Sequence, residues 1–227
     1  MSSFIGHSVA AITVYVATES VNSSMPISDR LKHIWQNKKQ FIWLLWLIIV
    51  ASVPDLDYVV KAWQSSNNQG LRITHSVLFS LIVPSLTIAV LFILKVKSKK
   101  LWLFSIQVVL AGLSHLLLDL LVGVTPLPIL FPAINIPFKL PFGILPSAGK
   151  IDFNNYYFYR NLKLEMGVLL PIFGLVCLLG DCEASRRHRS TNKLRYRQIR
   201  FLFKLLACGI LLVCCLYFIN LNLALPR

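Results

Sequence analysis

Six apolar stretches, at residues 4–18, 41–60, 76–94, 101–122, 164–180 and 201–223, divide this chain, and most of its charges lie between them. About 20 apolar residues are needed for a helix to cross a bilayer's hydrocarbon core. Backbone in lipid must satisfy its own hydrogen bonds, so only helices and closed barrels span, and stretches of this length select helices. The expected fold is all-α: a polytopic transmembrane bundle of six spans, or of five if residues 4–18 re-enter. Of the 227 residues, 56% are hydrophobic and 14% charged, which excludes an ordinary soluble domain. Residues 1–227 read as one membrane domain without an internal repeat.

The net charge of +14 would suggest a nucleic-acid partner in a soluble protein. Here the lysines and arginines flank the apolar stretches, so they read as topology signals and no nucleic acid is expected. The loops after the first, third and fifth stretches, the last of them the basic segment 181–200 and its margin, hold sixteen of the 23 basic residues. Those loops are expected in the cytoplasm of a multi-pass plasma (inner) membrane protein that contacts membrane lipids. His33 and His188 fall in these basic loops and read as solvated. The first stretch lacks the basic start of a signal peptide and carries His7 early, so it is expected to be retained. Cys177, Cys182, Cys208, Cys214 and Cys215 have no zinc-knuckle spacing and read as reduced packing residues.

On the opposite side, residues 123–162 form the one long loop and hold six of the eleven prolines. Proline at that density forbids a helix, so extended chain or a short β-hairpin on the membrane face is expected. A lid over a site and an interfacial anchor through Tyr156, Tyr157, Phe158 and Tyr159 both fit.

An ionised side chain in hydrocarbon costs about 2.5–3.5 kcal/mol, so each one inside a span needs a reason. This chain groups them. His7 starts the first span, Asp55 and Asp57 end the second, Arg72 and His75 open the third, and His115 and Asp119 end the fourth. With alternating helix directions these ends share the non-cytoplasmic face. His115 and Asp119 are four apart and therefore stack on one helix face. Pro54 disturbs the helix before Asp55, so an extended or 3-10 exit can bring both aspartates to one centre. His7, His75, His115, Asp55, Asp57 and Asp119 together suit one or two divalent ions, with Zn²⁺ or Mn²⁺ favoured by mixed imidazole and carboxylate. Taken singly, His7 also fits as an interfacial histidine, the two aspartates as helix-exit residues, and His75 as part of a cap.

The sequence Gly6-His7, then Pro54-Asp55-Leu56-Asp57, then Thr74-His75-Ser76, then Ser114-His115-Leu116-Leu117-Leu118-Asp119, then Thr125-Pro126, resembles the YdjM-type bacterial inner-membrane proteins. The likeness covers roughly residues 1–150 and does not extend to distinctive motifs in 164–227. It implies membrane-bound metal-dependent hydrolysis, with the same six histidines and aspartates as the metal residues. In one departure, many relatives carry a His-Arg pair shortly before Thr-His-Ser, where this chain reads Gly70-Leu71-Arg72. The resulting expectation is a metal-dependent hydrolase acting on a lipid or phosphate ester at the non-cytoplasmic face, with Asp57 or Asp119 as general base and Arg72 steadying anionic charge. A structural metal site without catalysis, or a transporter, are the alternatives.

Overall fold

The computed structural model describes residues 2–22, 27–58, 72–123, 125–134, 136–147, 154–187 and 194–224. Seven α-helices account for most of them: α1 (Phe4–Asn22), α2 (Ile27–Gln36), α3 (Lys38–Ser52), α4 (Val77–Ile93), α5 (Ser98–Val122), α6 (Tyr156–Arg187) and α7 (Leu194–Ala224). α1, α5, α6, α7 and the continuous stretch Lys38–Asp57, which is α3 with the 3-10 turn that follows it, are long and apolar enough to cross a membrane; α4, at 17 residues, is a shorter apolar helix. A helix of that length measures about 26 Å, near the lower limit for a span. α1, at 19 residues, is of spanning length.

α1 is the centre of the bundle, packed against α3, α5 and α6, with α4 on α5 and α7 on α6. Its buried face carries Ala11, Tyr15 and Val16, which meet Leu47, Val50 and Ala51 of α3 and Val108 and Ala111 of α5. Leu86, Phe92, Leu206, Val213 and Leu216 point outward and exposed. A soluble monomer rarely presents so much apolar surface, whereas lipid covers it without cost. Within this apolar interior, Gln107 is fully buried and satisfied: Trp43 Nε1 donates to its Oε1 at 2.6 Å, and its Nε2 donates to Thr18 Oγ1 at 3.0 Å.

Three features depart from the sequence reading. α2 lies in the first basic loop, where no helix is expected, yet Ile27 and Ile34 repeat at helical spacing and are buried, while Lys32, His33 and Trp35 face outward. Tyr156–Tyr159 are not loop but the first turn of α6, where Asn155 caps through Oδ1 to Tyr157 N at 2.9 Å. In the proline-rich segment, a single antiparallel bridge joins Leu127 and Phe138, by two hydrogen bonds of 2.8 Å, and no strand forms among the described residues.

The same segment is tied to the helix ends beneath it. Gly123, in the left-handed region at φ +63°, ends α5 and turns the chain. Ile129 O accepts from Val77 N at 3.0 Å, so it satisfies an orphan donor at the start of α4. Leu121 O accepts from Ile144 N and Leu145 N, and Asn222 of α7 donates to Gly143 O and Ile144 O. Leu127 and Leu145 are buried by these contacts. The segment thus works as a strap over one end of the bundle. Cys208, Cys214 and Cys215 form no disulfide among the described residues, and His188 lies outside them.

Candidate metal centre

Each residue of the site sits where its local sequence ends or interrupts a helix. Pro54 removes a donor, and the chain after Ser52 tightens into a 3-10 turn, Val53–Tyr58, that carries Asp55 and Asp57. Ser76 caps α4 by accepting from Phe79 N at 3.2 Å, and the 3-10 turn Ile73–His75 just before it presents His75. His115 and Asp119 lie one turn apart near the end of α5, and His7 lies in the first turn of α1.

All of these ends are at the strapped end of the bundle, and four side chains converge there. Asp55, His75, His115 and Asp119 each offer one ligand atom, all within 4.8 Å of one another. His75 Nε2 is 3.1 Å from Asp119 Oδ2, 3.3 Å from His115 Nε2 and 3.5 Å from Asp55 Oδ1. His115 Nε2 is 3.5 Å from the same Asp119 oxygen and 3.8 Å from the same Asp55 oxygen. Ligand atoms about 2.0–2.1 Å from a tetrahedral Zn²⁺ are themselves about 3.3–3.4 Å apart. The observed separations bracket that spacing.

Hydrogen bonding fixes what these atoms carry. His115 Nδ1 is 2.8 Å from Ala51 O, and a carbonyl only accepts, so Nδ1 holds the proton of the neutral ring and Nε2 is then a bare lone pair. Thr74 Oγ1 gives its one proton to Asp57 Oδ2 at 3.1 Å, so it accepts from His75 Nδ1 at 2.9 Å, and His75 Nε2 is bare as well. Two lone pairs and two carboxylate oxygens then meet in a buried space, where only a cation or a proton relieves them. Asp55 Oδ1 and Asp119 Oδ2 have no hydrogen-bond partner among the described residues. His75, which lies outside the spans, shows the proton alternative. Burial lowers its pKa, but the Asp119 and Asp55 carboxylates, placed to accept from a protonated Nε2, outweigh burial and hold it above the ordinary imidazole value.

The other expected residues surround this centre. Asp57 is buried, bonded by Arg72 through both Nε and Nη2 and by Thr74, and reaches His75 from behind. It is thus placed to orient His75, a position typical of the partners of metal-binding histidines. Arg72 Nη2 also lies 3.7 Å from Asp55 Oδ1. His7 is fully buried and stacked on His115, ring centroids 4.0 Å apart. Gly70 and Leu71 lie outside the described residues.

Sequence reasoning passed over Glu165. It is fully buried in the third turn of α6, where its carboxyl accepts from Ser3 N at 3.0 Å and from Ser2 Oγ. Ser2 N in turn donates to Asp119 Oδ1 at 2.8 Å, which ties the chain before α1 to the centre. A Cβ at Gly6 would run into Glu165 Oε1 and Ser2 Oγ, so glycine beside His7 lets α1 approach α6. The signal was present, an acidic residue in an apolar span, by the same rule that singled out Asp119.

A family model described as YdjM inner membrane protein matches residues 1–220, which extends the likeness well past the motif-bearing part of the chain. No curated protein and no solved structure matches the chain. With that match over nearly its whole length and five membrane-length helices, the chain belongs to the YdjM family and is a multi-pass inner-membrane protein.

Proposed function

We propose that the protein is a metal-dependent hydrolase whose centre lies at the non-cytoplasmic face and acts on a lipid or other phosphate ester. The observation that carries the reading is the meeting of two bare imidazole nitrogens and two unpartnered carboxylate oxygens at metal-ligand spacing. Asp55, His75, His115 and Asp119 would hold the ion, Zn²⁺ or Mn²⁺ by donor type. A divalent ion there supplies Lewis acidity and a water acidic enough to react near neutral pH.

The chain's own residues do the rest. Ala51 O and the Asp57–Thr74 pair hold the two imidazoles in their metal-binding tautomers. Asp55 and Arg72 are about one-fifth exposed, at 20% and 19%, while His75, His115 and Asp119 are sealed. Substrate therefore reaches the site past Asp55 and Arg72, and the guanidinium suits an anionic phosphoryl oxygen. Asp119 and Asp57 remain the candidate general bases. Arg72 and Thr74 fill three of the four acceptor positions of Asp57, and Asp119 would itself hold the ion, so either acts as base only through a lone pair left over from these roles. The sixteen-to-seven distribution of basic residues supports the non-cytoplasmic placement.

A structural metal site is the second reading, favoured by the fact that four protein ligands already complete a tetrahedron. Phosphate release from phosphomonoester lipids in liposomes, with Zn²⁺ or Mn²⁺ against a chelator, separates the two. Hydrolysis that needs metal and falls at least about 100-fold in Arg72→Ala supports the enzyme. Metal bound tightly with no release from any phosphoester supports the structural role.

A further inference from the structure

The four-residue set leaves a second group of donors on the far side of the same two carboxylates. Asp55 turns Oδ1 toward His75 and His115, and its other oxygen, Oδ2, lies 3.5 Å from His7 Nε2. Asp119 divides in the same way, with Oδ2 on His75 and His115 and Oδ1 3.8 Å from His7 Nε2. His7 is exposed to neither lipid nor water, at 0% accessibility, and neither of its ring nitrogens has a hydrogen-bond partner among the described residues. A buried imidazole aimed at two carboxylates without a bond is costly unless something sits between them.

The rings of His7 and His115 are nearly parallel, at 15°, with centroids 4.0 Å apart. Both direct Nε2 at the same pair of carboxylates. Ions in two-metal hydrolytic sites are about 3.5–4 Å apart. Stacked imidazoles at this interval, each facing one oxygen of two shared carboxylates, are the donor arrangement of a carboxylate-bridged pair.

We propose that the protein binds two divalent cations, with His7 Nε2, Asp55 Oδ2 and Asp119 Oδ1 forming the second position and Asp55 and Asp119 bridging. This rests on the reading of Asp55, His75, His115 and Asp119 as the first position. Three protein donors leave the second position open to water or a phosphoryl oxygen, which four donors do not. Ser2 N, bonded to Asp119 Oδ1, holds that oxygen in place. Such a pair would suit the in-line displacement of a phosphoester, the substrate class proposed above.

The test is titration of chelator-stripped, detergent-purified protein with Mn²⁺, with bound ion counted per chain and the electron paramagnetic resonance spectrum recorded. Two Mn²⁺ per chain with an exchange-coupled spectrum are expected in wild type. One uncoupled Mn²⁺ is expected in His7→Ala and in His7→Gln. A single uncoupled Mn²⁺ in wild type overturns the second position and leaves the first standing, and two coupled ions in His7→Ala overturn the part given to His7. No bound Mn²⁺ or Zn²⁺ in wild type overturns both. The wild-type count and spectrum decide the question even if neither variant folds.

Discussion

His115 Nδ1 donates to Ala51 O at 2.8 Å, so a backbone carbonyl at the end of α3 selects which nitrogen of a histidine on α5 faces the centre. The carbonyl is available because the chain turns from α-helix to 3-10 geometry at Val53, just before Pro54, which leaves the last carbonyls of α3 without their usual partners. A helix end made irregular by proline thus serves twice: it projects Asp55 and Asp57, and it sets the tautomer of His115.

Protons and metal should compete for this centre. The pKa of His75 is raised, so its protonation stabilises the metal-free fold fully below the unfolded value of about 6.5 and is lost as pH rises through the higher folded value. Metal needs the neutral imidazole, so affinity must change in the opposite sense. Zn²⁺ affinity, measured by chelator competition, is expected to rise about tenfold per pH unit through that window for one displaced proton. An affinity flat from about pH 6 to pH 8 would show that His75 does not exchange a proton for metal.

Asp57 should matter through His75 rather than by binding metal directly. In Asp57→Asn the Thr74 bridge can persist while the pairing with Arg72 weakens, and loss of a supporting partner of this kind costs about 10–100-fold in metal affinity. Asp57→Asn is expected to retain full metal stoichiometry at saturating ion. Reduced stoichiometry at saturation would make Asp57 a ligand in its own right.

Glu165 and Gly6 should be coupled. Glu165→Ala leaves the buried Ser3 N without its acceptor, at a cost of about 1–3 kcal/mol, and lowers the thermal midpoint in detergent. Gly6→Ala drives a methyl into the Glu165 carboxyl and should also destabilise. The double variant is expected to lose less than the sum of the two, because the space opened at Glu165 accepts the methyl. Strict additivity would mean that the two positions do not share that space.

The site-bearing end should face away from the cytoplasm. Lys139 is exposed on the strap, so a cysteine there is expected to react with a membrane-impermeant thiol reagent in intact cells. Labelling only after the membrane is opened would reverse the orientation.

The spans and the converging residues were legible because lipid makes ionisable side chains expensive, so His115 and Asp119 stood out against Leu116, Leu117 and Leu118. Even the 3-10 exit could be read from Pro54. The division of labour could not. Asp55 and Asp57 are two residues apart in one motif, and only the fold shows Asp55 turned toward three histidines and Asp57 turned to Arg72 and Thr74. α2 was obscured because its lysines matched a cytoplasmic loop, and its apolar residues Ile27, Leu31 and Ile34 were too few to register as a separate stretch. The strap defeats local pattern reading altogether, since its hydrogen bonds run to Leu121, Val77 and Asn222, on three different helices.

Metal analysis by mass spectrometry of the detergent-purified protein, beside His75→Ala and Asp119→Ala, tests the central claim most directly. Wild type is expected to carry at least one equivalent of a divalent transition metal, and each variant, though monodisperse, is expected to lose most of it. Equal and negligible metal in wild type and both variants would contradict the account.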